Sequence, residues 1–208
     1  MIRIHIEKRL KAYNGIQVLR IEKTVTPGSI LRVTGPSGAG KTTLLKMIAG
    51  LIAPDAGTIA VGDAVWYESA MKINFSPQQR QPGFVFQDYA LFPNMTVLQH
   101  LQYATQDAAW ITRLLAIGQL QTFAHHKPAH LSGGQQQRLA ILRALAIRPR
   151  LLLMDEPFSA LDVKMKTRLI ADLLLVIKEL NATAIIVSHN QQELDGICND
   201  ELVLGGEE

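Results

Sequence analysis

The sequence predicts an α/β protein with a mainly parallel sheet, an antiparallel β subdomain and a helical subdomain. Three observations predict it. Two continuous apolar runs, "RLLLMDE" (150–156) and "TAIIVSH" (183–189), alternate with helical stretches, as the strands of a parallel sheet covered on both faces do. Short β-like runs separated by Gly, Pro and Asp, such as "SILRVTG" and "GTIAVGDAVWY", fill residues 2–34 and roughly 57–68. From about Met95 to Leu120 the period changes, and "VLQHLQYA" and "AAWITRLLAIGQL" place apolar residues three and four apart, the spacing of a helix.

The elements follow in order. The opening "MIRIHIEKRL" alternates Ile2, Ile4 and Ile6 with Arg3, His5 and Glu7, which reads as a half-buried strand rather than a secretory signal. A strand at Ile30 to Val33 runs into a glycine loop and the helical "LLKMIAGL". Further helices are expected from about Gly134 and from about Lys164 to Leu180. No internal repeat or long linker divides the 208 residues, so one domain over 1–208 is expected, with its helical subdomain at roughly 95–147.

Composition narrows the class. An apolar content of 48 % suffices for a sizeable core, and no apolar run approaches the roughly 18 residues of a membrane span. The single Cys198 cannot pair within the chain and has no cysteine neighbours at metal spacing; a small buried hydrophobe in a reducing, cytoplasmic setting is the expectation. A net charge of +3 permits a phosphate-rich ligand without demanding nucleic acid.

The chemistry is concentrated in "GPSGAGKTT", residues 35–43, between the strand and the helix. Its glycines let consecutive backbone N–H groups wrap phosphates, Lys41 brings a positive charge to the β and γ oxygens, and the Thr42 hydroxyl is placed to ligate magnesium. The dinucleotide fingerprint is a poor fit, because Gly38 and Gly40 are followed by Thr43 where its third small residue belongs. "LLLMDEP" ends a buried strand with two carboxylates that can divide the work: Asp155 as partner of magnesium through its waters, Glu156 as general base toward the attacking water. His189 at the next strand end is either a structural histidine or a donor to the γ-phosphate or the attacking water. Gln87, after "GFVF", could touch magnesium or water. Ser132, Gly133 and Gly134 form a helix start suited to an anion, with no catalytic group beside them.

In this order the motifs closely resemble the nucleotide-binding subunit of ATP-binding cassette (ABC) transporters, along essentially the whole chain. "GPSGAGKT" resembles the Walker A loop, "FVFQD" the Q-loop, "LSGGQQQR" the family signature, "LLLMDEP" Walker B, "SALD" the D-loop and "VSH" the switch histidine. The resemblance implies a P-loop NTPase core, an ATPase activity with Mg2+, and a nucleotide contacted by Gly35, Pro36, Ser37, Gly38, Ala39, Gly40, Lys41, Thr42 and Thr43. It implies a head-to-tail, ATP-dependent homodimer in which Leu131, Ser132, Gly133, Gly134 and Gln135 of one chain close over the ATP held by the other, with Asp162 across the interface. Tyr13 lies where the family often stacks an aromatic ring on adenine, a surface tyrosine in a turn being the competing reading, and Asn190 departs from the acidic residue many members carry after the histidine.

The family also implies a separate membrane permease, docked near the apolar segment from Tyr89 to Val97; a packed local core is the competing reading of those side chains. The chain would then be peripheral on the cytoplasmic face of the membrane, served indirectly by a solute-binding protein. The run from "GDAVWYESAM" to "LFPNMTV" looks like that of molybdate-type oxyanion importers, while sulfate, sugar and polyamine importers share "QDYALF". The chain stops at "LVLGGEE", without the C-terminal regulatory domain that many such subunits carry, by nature or by truncation. ABC ATPases acting on nucleic acid share the motifs but usually bring a coiled coil, zinc cysteines or a second cassette. A regulatory module with a dead site is at odds with Lys41, Asp155, Glu156 and His189.

Overall fold

The computed structural model describes residues 1–12, 15–189 and 191–205. Two compact units result, Met1–Pro82 with Thr183–Glu208, and Gly83–Ala182.

The first unit holds both kinds of strand. β1 (Ile2–Ala12) and β2 (Gly15–Val25) pair antiparallel from Ile2 opposite Val25 to Ala12 opposite Gly15. β4 (Ala56–Val61) pairs with the other edge of β1, followed outward by β5 (Ala64–Glu68) and β6 (Ile73–Asn74). The alternation at the N-terminus is realised: Ile2, Ile4 and Ile6 are buried and Arg3 and His5 exposed. β3 (Ile30–Thr34) lies between β9 (Thr183–Val187) and β10 (Asp200–Val203), parallel to both. Every residue of β9 is buried, which is why its sequence is a continuous apolar run rather than an alternating one.

α1 (Lys41–Ala49) follows β3, and its far end is fixed by a buried cation. Arg80, last residue of the short helix α2 (Pro77–Arg80), is 5 % exposed. Its guanidinium donates to the carbonyls of Met47 (2.8 Å), Ile48 (2.9 Å), Phe75 (2.9 Å) and Trp66 (3.2 Å) and to Asn74 Oδ1 (3.1 Å). A cation at a helix C-terminus meets the negative end of the dipole and satisfies its orphan carbonyls. Burial lowers its pKa to about 10, and it stays charged at neutral pH.

In the second unit β7 (Gly83–Val85) pairs in parallel with β8 (Leu151–Asp155), which is buried throughout. The helical pattern from Met95 to Leu120 resolves into α3 (Val97–Ala104) and α4 (Ala108–Ile117), separated because Asp107 caps α4 by accepting from Trp110 N at 3.0 Å. α5 (Gly133–Ala146) packs against α3, α4 and β7, and α6 (Val163–Glu179) completes the unit. Among the described residues no helix is long and apolar enough to cross a membrane. Cys198, in the first unit, is half-buried, and burial pushes its thiol pKa up, consistent with an inert side chain.

Candidate functional site

The glycine loop leaves β3 through a bend that only glycine tolerates. Gly35 has φ +140° and sits so close to the Leu204 carbonyl that a Cβ would collide with it. Gly40, the N-cap of α1, has φ +95°, and a Cβ there would press on Leu19 and Leu10. The chain curls around Lys41, whose side chain is buried and whose Nζ donates to the carbonyls of Gly35 (2.7 Å) and Pro36 (2.8 Å). Thr42 and Thr43 occupy the first turn of α1, half-buried.

That first turn has no side-chain cap and no acidic residue. Its N–H groups carry the positive end of the helix dipole, and an ammonium stands in the same loop. A helix start without a side-chain cap, its dipole and a lysine all favour one kind of ligand, a polyanion such as a nucleotide phosphate chain. ATP therefore fits the residues present.

His189 also belongs to the first unit, exposed just beyond β9. The preceding Ser188 is buried, and its Oγ donates to Glu193 Oε2 at 2.9 Å. Tyr13 and Asn190 lie outside the described residues.

The second unit brings the remaining candidates together. Asp155 ends β8, buried, and Glu156 follows with φ +50°, a left-handed conformation rare for a residue with a side chain. Gln87 is exposed in the turn after β7, so it shares with the two carboxylates the carboxyl end of a parallel strand pair. Asp162 is the N-cap of α6, accepting from Met165 N at 2.9 Å. Ser132 is the N-cap of α5: Ser132 Oγ accepts from Gln135 N at 3.3 Å, while Gln135 Oε1 accepts from Ser132 N at 2.8 Å. Leu131 is buried. A Cβ on Gly133 would meet only the Ala160 side chain, at an ordinary 4.0 Å, whereas a Cβ on Gly134 would come to 3.2 Å from the Ala160 carbonyl. The second glycine thus has a packing reason within its own chain, which the sequence did not disclose.

Three polar residues escaped sequence reasoning. Gln137, 1 % exposed, bonds to the backbone of Glu156 and Ala160. Arg143, in α5, donates to the carbonyls of Tyr89 (3.0 Å) and Ala90, both at positive φ, and lies over the Phe92 ring at 5.6 Å. His100, fully buried, accepts from Phe92 N on Nε2 (2.9 Å) and donates from Nδ1 to the Thr96 carbonyl (2.7 Å), partners that assign its neutral tautomer. Burial, with the charge of Arg143 as a lesser cause, holds the His100 pKa below the usual histidine range against the opposing Thr96 bond. The backbone of the segment from Tyr89 to Val97 is therefore pinned from beneath, while Phe92 and Tyr103 remain exposed on top, their rings 5.5 Å apart. The capping-box pattern S/T-x-x-Q was a visible signal at "TVLQ" and "SGGQ"; nothing in the sequence marked His100 or Arg143.

A glycine loop of this form on this fold defines the class: an ATP-binding cassette. The ABC transporter family matches residues 18–159, and the chain belongs to that family. It is 43 % identical over 210 residues to the sulfate/thiosulfate import ATP-binding protein CysA of Mesostigma viride, covering 97 % of this chain and 58 % of that protein. It is 40 % identical over 204 residues to the spermidine/putrescine import ATP-binding protein PotA of Marinobacter nauticus, covering 93 % and 53 %. The chain thus spans little more than half the length of these relatives. A solved dimeric structure of the ATP-binding cassette MJ0796, in a post-hydrolysis state bound to ADP and Pi, superposes with a TM-score of 0.83 at 29 % identity, covering 98 % of this chain and 94 % of that one.

Proposed function

We propose that the chain is a single cassette that binds and hydrolyses ATP to power an importer, acting as an ATP-dependent head-to-tail homodimer on the cytoplasmic face of a membrane beside a separate permease. The observation that carries the reading is the buried Lys41 inside a glycine loop that opens an uncapped helix. The loop and Lys41 hold the phosphates, with Pro36, Ser37, Gly38, Ala39 and Thr43 lining them. Thr42, Gln87 and Asp155 would hold Mg2+, which when bound neutralises charge on the phosphoryl oxygens. Among the described residues no cluster of three His, Cys, Asp or Glu side chains offers a cage for a metal, which agrees with an ion held largely by nucleotide and water. Glu156 accepts the proton of the attacking water, and His189 donates a hydrogen bond to the γ-phosphate. Leu131, Ser132, Gly133, Gly134 and Gln135 close on the nucleotide of the second copy, with Asp162 at that interface.

Molybdate, expected from the run between "GDAVWYESAM" and "LFPNMTV", gives way as the leading cargo. The relatives above are named for sulfate/thiosulfate and spermidine/putrescine import, so those solutes carry the better support, sulfate first by identity. Permease docking on the segment from Tyr89 to Val97 is supported by its pinned backbone and by the exposed ring of Phe92, with Tyr103 of α3 beside it. Glu156→Gln tests the chemistry: ATP binding is expected to persist while hydrolysis slows by roughly 10²- to 10⁴-fold, the loss of a general base. Hydrolysis at the wild-type rate would remove Glu156 from that role. Copurification with a membrane protein supports transport, whereas stimulation by DNA or ribosomes would point to the nucleic-acid class.

A further inference from the structure

Three consecutive glutamines follow the glycines that open α5, and each turns to a different task. Gln135 folds back on its own N-cap, and Gln136 donates to the carbonyls of Pro128 (3.0 Å) and Leu131 (3.1 Å). Gln137 points inward. Its Nε2 donates to the backbone carbonyl of Glu156 (3.1 Å) and to Ser159 Oγ (3.1 Å), and its Oε1 accepts from Ala160 N (3.0 Å). Ser159 Oγ in turn donates to the same Glu156 carbonyl at 3.2 Å. An amide is the side chain that supplies two donors and an acceptor on one rigid plane, and the partners here leave its orientation unambiguous.

The carbonyl so gripped belongs to a residue at φ +50°. A side-chain-bearing residue keeps such a conformation only where its surroundings over-determine it. The first turn of α5 also approaches this segment closely, because a Cβ on Gly134 would come to 3.2 Å from the Ala160 carbonyl.

We propose that Gln137 is a positioning residue for hydrolysis: its buried amide locks the left-handed turn at Glu156 to the body of α5, and so sets the direction in which the carboxylate is presented. The inference rests on the assignment of Glu156 as general base. It has a mechanistic consequence. α5 is also the helix opened by Ser132, Gly133 and Gly134, so a phosphate gripped at its N-terminus acts on the element that aims the general base of the same chain.

The test uses the full chain as wild type, Gln137→Met, Gln137→Glu, Glu156→Gln and the Gln137→Met/Glu156→Gln double variant. Methionine keeps the volume and removes all three bonds, whereas glutamate keeps the acceptor for Ala160 N and loses both donations. Gln137→Met is expected to lower kcat by about 10- to 100-fold, the scale of a misplaced catalytic group, with KM for ATP within about twofold. Gln137→Glu should fall at least as far, because its buried carboxylate sets an oxygen against the Glu156 carbonyl. Because the residue acts through Glu156, the double variant should be no slower than Glu156→Gln alone. A wild-type kcat in Gln137→Met beside a slow Glu156→Gln would overturn the proposal, as would losses that multiply in the double variant. A fast Glu156→Gln would instead defeat the general-base assignment. Hydrogen exchange then still decides the lock: Gln137→Met should speed exchange at the Ala160 amide and leave the α5 core protected, and unchanged exchange at Ala160, or a global loss of protection, would contradict it.

Discussion

Two helices in this molecule begin with glycine, and they begin in opposite ways. α1 starts behind Gly40, which has no side chain to cap it, and the buried ammonium of its first residue, Lys41, turns back onto the loop. α5 starts behind Ser132, whose hydroxyl and amide are both engaged with Gln135 in its own first turn. An uncapped end with a lysine is incomplete without an anion; a boxed end is stable alone and can exchange its internal bonds for a ligand's later. The contrast fits a division in which α1 holds the nucleotide of its own chain and α5 closes on that of a second copy.

The largest expected effect breaks the α1 side. Lys41→Ala removes the charge in the loop and should weaken ATP binding by about 10²-fold, the value of charge-assisted hydrogen bonds to phosphate. Titration calorimetry checks this, and unaltered affinity would defeat the phosphate reading of residues 35–43. Gly35→Ala should destabilise the fold by roughly 2–4 kcal/mol in a denaturant titration, since the new Cβ meets the Leu204 carbonyl at a strained φ.

The α5 side separates two roles for one serine. Ser132→Ala should cost about 1 kcal/mol of monomer stability, the usual value of an N-cap. Ser132→Arg should bind ATP as the wild type does yet fail to dimerise. If Ser132→Arg still forms an ATP-dependent dimer, the composite reading of α5 is wrong and the serine is only a cap.

The smallest effect is a pH dependence beneath the segment from Tyr89 to Val97. The His100 pKa is lowered in the folded state, so the unfolded chain takes up a proton first as pH falls. Its contribution to stability is full above the unfolded value near 6.5 and is lost as pH drops through the lower folded value. The charged group that faces it is Arg143 from α5, which opposes protonation. In His100→Asn this component should vanish from the pH profile of the melting temperature. A profile identical to wild type would mean that His100 does not titrate on unfolding.

Much of this was legible in the sequence because its signals are local. Period-two isoleucines gave β1, continuous apolar runs gave β8 and β9, and the glycine loop carried its chemistry in nine adjacent residues. What was not legible depends on partners distant in the chain. Gly35 reads as a flexible loop residue until the Leu204 carbonyl is set against it. Gln135, Gln136 and Gln137 are chemically identical, and only the rotation of about 100° per residue sends the third inward. His100 sits within an amphipathic helix where either a polar or a buried histidine satisfies the pattern, and the bond it accepts from Phe92 exists only once the loop folds back over α3.

The central claim is that nucleotide state sets whether two copies close on each other. Sizing Glu156→Gln by light scattering, with ATP and with ADP, tests it most directly. Dimers are expected with ATP and monomers with ADP; monomers with both, or dimers indifferent to the nucleotide, would mean that nucleotide state does not govern closure.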